Sequence, residues 1–140
     1  MSKRHITPKT LMAKASAACS DARILLEQGS TDGAANRAYY AMFDAARAAL
    51  LLSGASVDLE QIRTHKGLIG AFGNYLVKNG SVSKDLGGLL TEAFGTRLMA
   101  DYGGNFVELD DARNKVEQAE HFVSTMREKF MPENGDDDDS

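Results

Sequence analysis

Leu109, Ala112, Val116, Ala119, Val123, Met126 and Phe130 recur in alternating steps of three and four residues without a fault. That spacing follows the helical turn, so all seven side chains fall on one face of a helix expected from about Glu108 to Phe130. Such a stripe has to be buried against other helices or against a second copy of the chain. The only prolines are Pro8 and Pro132, so nothing between them forces a helix to break. Nineteen Ala and fourteen Leu, against ten Val plus Ile, favour helix over sheet. The expected fold class is all-α, and 140 residues suit a single domain with a sizeable core.

Four further helical segments precede that stripe. The first is expected from Pro8 to Gln28, with Leu11, Ala15, Ala18, Ala22 and Leu25 on one face and Gly29 as the stop. Ser30, Thr31 and Asp32 offer an N-cap for a second helix reaching about Ser53 and closed by Gly54. This helix, "DGAANRAYYAMFDAARAALLLS", is apolar on more than one face, as the centre of a bundle must be. Its charged interruptions are Arg37, Asp44 and Arg47, and its neighbours Tyr39 and Tyr40 diverge by about 100°, too far to face one partner. A third helix is expected over Ile62 to Lys78 with Ile62, Ile69, Phe72 and Leu76 inward, and a fourth from Lys84 to Tyr102 with Ser83 as its cap. Gly67, Gly70 and Gly73 follow no strand and so make no dinucleotide fingerprint; they are expected to form a helix-packing surface.

The net charge of −4 hides an uneven distribution. The end, "PENGDDDDS", carries five acidic groups, so residues 1–131 alone sum to +1. Residues 1–131 therefore read as one nearly neutral helical domain, and 132–140 as a disordered acidic tail that repels itself. No basic stripe of a general nucleic-acid binder stands out. No apolar run approaches eighteen residues, so no membrane span is expected. "MSKRHITPKT" lacks the apolar stretch of a signal peptide, and the lone Cys19 forms no internal disulfide, so a cytoplasmic location is expected.

Few residues bear chemistry. His5, His65 and His121 lie far apart with no ligands at metal spacing, so neither a metal nor a cofactor is expected. Cys19, in an Ala-rich helix, reads as an inert thiol, and His121 as a boundary residue. His65 and Lys66 open the third helix, where amide donors and a cation can hold an anion. Arg97 stands four residues before Asp101 and five before Tyr102, in "GTRLMADYGG".

Taken together, "AANRAYYAMFDAARAALLLSG", "THKGLIGAFGNYLVKNG" and "TRLMADYG" resemble the HEPN domains of prokaryotes, over about Gly29 to Phe130. The resemblance implies an up-and-down bundle of four to five helices, a homodimer, and a nucleotidyltransferase as partner in a toxin–antitoxin or defence-like module. It also implies a metal-independent ribonuclease, whose signature is an arginine followed after four to six residues by a histidine, two copies meeting across the dimer interface. Cleaving RNA that way needs a base for the 2′-hydroxyl, an acid for the leaving oxygen and a cation for the phosphorane. Histidine can exchange protons at neutral pH, and arginine supplies the fixed charge.

Arg97 aligns with the motif arginine, but Tyr102 stands where the histidine belongs, and no other arginine has a histidine at that spacing. Leu98 replaces the polar residue that commonly follows the arginine, and Gly104 occupies the place of a tyrosine that the partner modifies in a related group. A tyrosine with an ordinary value near 10 is a poor proton carrier at neutral pH, and His65, from another helix, is a candidate to supply the missing imidazole. The expected catalytic set is Arg97, Asp101 and Tyr102, and the expected ligand-binding set is His65, Lys66, Arg37 and Tyr40. Two functions stay open: RNA or nucleotide binding in a dimer cleft with ribonuclease activity, or a non-catalytic scaffold for a partner protein or nucleotide.

Overall fold

The computed structural model describes residues 7–131; the acidic tail and His5 lie outside the described residues. Five α-helices follow one another: α1 (Pro8–Glu27), α2 (Thr31–Leu52), α3 (His65–Phe72), α4 (Lys84–Tyr102) and α5 (Leu109–Phe130). Among the described residues there is no strand. The fold is an all-α HEPN-like bundle, with α2 at its centre against α1, α5, α4 and α3.

The helix ends follow local chemistry. Thr7 caps α1 by accepting the Thr10 amide, Pro8 fills the first position, and Gly29 leaves the helix at a φ of 79° that suits a residue without a Cβ. Ser83 caps α4 by accepting the Leu86 amide at 3.2 Å. Ser30 is the N-cap position of α2 but gives no side-chain bond. Asp32 accepts instead from the Val107 amide at 2.7 Å, which ties the start of α2 to the loop before α5.

The third helix differs from its expectation. Gln61–Arg63 forms a short 3-10 turn, Thr64 is extended, and α3 begins only at His65 before widening into a π-helical turn over Gly73–Val77. The break has a local cause: the Thr64 hydroxyl accepts the Gly67 amide at 3.1 Å, which makes Thr64 a cap rather than a helical residue. The expected glycine packing surface is also absent. A Cβ on Gly67 would overlap the Gln61 carbonyl oxygen of its own turn, whereas Gly70 and Gly73 face open space.

The core draws most of its residues from α1, α2 and α5, with Leu68 and Phe72 of α3 and Leu86, Leu90 and Ala93 of α4 joining it. Ala34, Ala38, Ala41, Ala45, Ala48 and Ala49 are buried on α2, and these small side chains let the neighbouring backbones close in. On α5, Ala112, Val116, Ala119, Phe122, Val123 and Met126 are buried, and Phe122 meets Phe72 at 5.7 Å between ring centroids. Leu109, expected on that stripe, is 46% exposed because it opens the helix beyond the reach of α2. No helix among the described residues is long and apolar enough to cross a membrane.

Candidate functional site

The second half of α4 faces α2 with a polar residue. Arg97 lies with its guanidinium carbon 5.5 Å from the Tyr40 ring centroid and 6.0 Å from that of Tyr39. Asp101, one turn later, forms an ion pair with Nη2 at 3.1 Å, and the two side chains are 15% and 31% exposed. Asp101 thereby aims the guanidinium across the tyrosine rings. Its Nε is buried without an acceptor.

His65 arrives from a different element. As the first residue of α3 it turns inward, placing Nδ1 2.7 Å from the Tyr39 hydroxyl. Its ring stacks on Phe94 at 5.2 Å and 27° and meets Phe43 at 5.3 Å. Burial, and then the positive charge of Arg97, push the imidazole below its ordinary value, so it is neutral at pH 7. Burial, reinforced by Tyr40, pushes the Tyr39 phenol far upward, so its hydroxyl keeps its proton.

Two tautomers satisfy this contact. In one, the Tyr39 hydroxyl donates to Nδ1 and Nε2 carries the ring proton. In the other, Nδ1–H donates to the phenol oxygen and Nε2 is a free base, the form that proton abstraction requires.

The structure thus brings Arg97, Asp101, Tyr40 and His65 around Tyr39. Arg37 also stands by Tyr40, with its guanidinium carbon 5.9 Å from that ring centroid. Tyr39 and Tyr40 do share partners, contrary to the expectation from their divergent directions. Each ring extends well beyond its Cβ, and the two converge edge to face at 5.3 Å, both touching His65 and Arg97.

Other expected residues stand apart. Tyr102 is 78% exposed and makes no side-chain hydrogen bond among the described residues. Five helical positions rotate it about 140° from Arg97. Lys66 is exposed and forms no ion pair among the described residues, while its neighbour His65 points inward, so the two do not build one anion site at the start of α3. One amide of that first turn is already taken by Thr64.

Tyr39, Phe43 and Phe94 were not legible as site residues, because each lies in an apolar helical stretch where packing alone accounts for an aromatic side chain. The tyrosine doublet followed later by a histidine was the available signal. Cys19 is half-buried between α1 and α5, and burial with nearby Glu120 pushes its thiol up to about 11, which leaves it a poor nucleophile. His121 is exposed. Among the described residues no group of three His, Cys, Asp or Glu side chains gathers as a metal site.

A five-helix bundle with an arginine–aromatic cluster between its second and fourth helices defines the class of this protein. A family model described as the HEPN domain matches residues 8–129. The chain belongs to the HEPN family. It is similar to a UPF0332 protein of Thermotoga maritima, 35% identical over 108 residues that cover 76% of this chain and 77% of that protein. A UPF0332 protein of Gloeobacter violaceus is 32% identical over 120 residues, 84% of this chain and 91% of the other. A protein of Methanocaldococcus jannaschii, whose name describes it as a candidate toxin, is 32% identical over 108 residues, 77% of each chain.

Proposed function

We propose that this HEPN protein is a toxin-like RNA-binding protein that engages a phosphodiester at Arg97, with His65 as the neighbouring proton carrier for metal-independent cleavage. The observation that carries this reading is the convergence of Arg97 and His65 on Tyr39, although they come from different helices. The motif histidine is missing from α4, and a neutral imidazole stands close by on α3. Arg97 supplies a fixed cation for the phosphorane, and Nε2 of His65 supplies the proton exchange. The similarity to a candidate toxin supports a toxin-like role. The proposal includes a cytoplasmic homodimer and a partner of the nucleotidyltransferase class, as the HEPN resemblance implies.

A second reading is a scaffold that binds RNA or a partner but cuts nothing. It is favoured by the hydrogen bond and ring stack that hold His65 in place. Purified protein incubated with RNA, with and without chelator, separates the two. Chelator-resistant cleavage lost in both Arg97→Ala and His65→Gln is the expected result. Binding without cleavage selects the scaffold, and undiminished binding by Arg97→Ala overturns the site.

A further inference from the structure

From Arg37 to Leu51, α2 leaves only five positions less than fully buried: Arg37, Tyr40, Asp44, Arg47 and Leu51. Their spacing of three, four, three and four residues places them on one line along the helix. Two of them are arginines with unmet hydrogen-bonding capacity. Arg37 forms neither an ion pair nor a hydrogen bond among the described residues, and its Nε is buried without an acceptor. The Nε of Arg47 is buried in the same way. Arg47 approaches Asp44 only to 3.8 Å, too far for a hydrogen bond, and lies with its guanidinium carbon 5.6 Å from the Phe43 ring centroid. A guanidinium has five donors, and a buried Nε–H without an acceptor is unfavourable unless something else supplies one.

The placement of these cations is what points to a ligand. Arg97 and Arg37 stand over Tyr40, while Arg47 stands over Phe43, whose ring also touches His65. The aromatic cluster around His65 therefore has a cation at either end. Arg37 and Arg47 are ten residues apart on one helix, about 15 Å along its axis. At about 3.4 Å per stacked nucleotide, that length covers roughly four nucleotide steps, more than a mononucleotide presents. Asp44 lies in the same line; burial pushes its carboxyl above its ordinary value, with Arg47, Lys14 and Arg37 acting against that, so one carboxyl stands among three cations.

We propose that Arg47, together with Arg37, extends the Arg97 site along α2 into a track for a single RNA strand of about four or more nucleotides. This rests on the reading of Arg97 as a phosphodiester anchor. The strand runs along α2 with its backbone on the guanidinium groups, and Arg97 and His65 address a phosphate within it rather than at its end. Ligand length is then the specificity of the site.

Oligouridylates of one, two, four and eight nucleotides, titrated by fluorescence anisotropy at several salt concentrations, test this. The expected result is an affinity that rises at least tenfold from the mononucleotide to the four-nucleotide strand and little thereafter. Arg47→Gln, which keeps much of the stem over Phe43, should remove most of that rise and leave mononucleotide binding intact. It should also flatten the logarithmic salt dependence by about 0.7. Arg47→Lys should restore part of both, and Arg113→Gln, on the exposed face of α5, should change neither.

Length-dependent binding by Arg47→Gln equal to that of the wild type overturns the track while leaving the Arg97 anchor standing. Wild-type protein that binds no oligonucleotide overturns both. A change in sedimenting mass with unchanged oligonucleotide affinity would show that a second copy covers this line, and would also overturn the track.

Discussion

α5 and α4 are of similar length and flank the same central helix, yet they do different work. α5 turns an unbroken apolar stripe towards α2 and buries Ala112, Val116, Ala119, Phe122, Val123 and Met126. α4 buries only Leu86, Leu90 and Ala93, all in its first half. Beyond Ala93 its inward side chains are Phe94 and Arg97, which meet an imidazole and two phenol rings. One wall of the bundle is held by apolar burial. The other gives up some burial to hold a cation beside a histidine. Stability and chemistry are therefore separable between the two walls, and substitutions can test that separation.

The largest effect is expected from Phe122→Ala on α5. Its ring is fully buried against Phe72, so truncation should destabilise the fold by about 3–5 kcal/mol in urea denaturation. Arg97→Ala on α4 should lower stability by roughly 1 kcal/mol or less, because its ion pair is partly solvated and made within one helix. Comparable losses at the two positions would break the division.

Two glycines of α3 sharpen it at intermediate size. Gly67→Ala places a Cβ against the Gln61 carbonyl and 2.8 Å from the Thr64 hydroxyl, so it should disturb the turn that delivers His65. A loss of roughly 1–3 kcal/mol is expected, together with weaker RNA binding. Gly70→Ala meets nothing within 4 Å and should stabilise the helix by up to about 1 kcal/mol. Equal thermal shifts of the same sign for the two variants would contradict this account of α3.

A third comparison concerns the proton. Tyr39→Phe removes the 2.7 Å contact to His65 and should cost about 1 kcal/mol. The imidazole of the folded protein titrates below its ordinary value near 6.5, so under that pH the unfolded chain binds more protons. The stability that goes with the neutral ring is complete above about 6.5 and declines as pH falls through the lowered folded value. His65→Gln should remove that decline when unfolding free energies are compared from pH 7.5 down to 5.5. A decline of the same slope in both proteins would place the pH-sensitive group elsewhere.

Much of the scaffold could be read directly from the chain. Helix starts at Pro8 and Lys84, the stops at Gly29 and Gly54, and the α5 stripe all depend on neighbours within a turn or two, and local chemistry decides them. The third helix was misread because apolar spacing ran smoothly through Thr64, while capping by its hydroxyl set the boundary. At the site, Arg97 and Asp101 were legible because they are one turn apart on one helix. His65 could be named from the chain only as one candidate for the missing imidazole, since its approach to Arg97 depends on how α3 and α4 lean on α2.

By itself, the sequence determined five helices, their apolar faces and a motif arginine without its histidine. Periodicity and capping are properties of short stretches of chain. Only the tertiary structure decided that an imidazole from α3 stands beside that arginine, and that Arg37, Tyr40, Asp44, Arg47 and Leu51 share one partly exposed line. Those relations join side chains distant in sequence, and the packing of helices against α2 sets them.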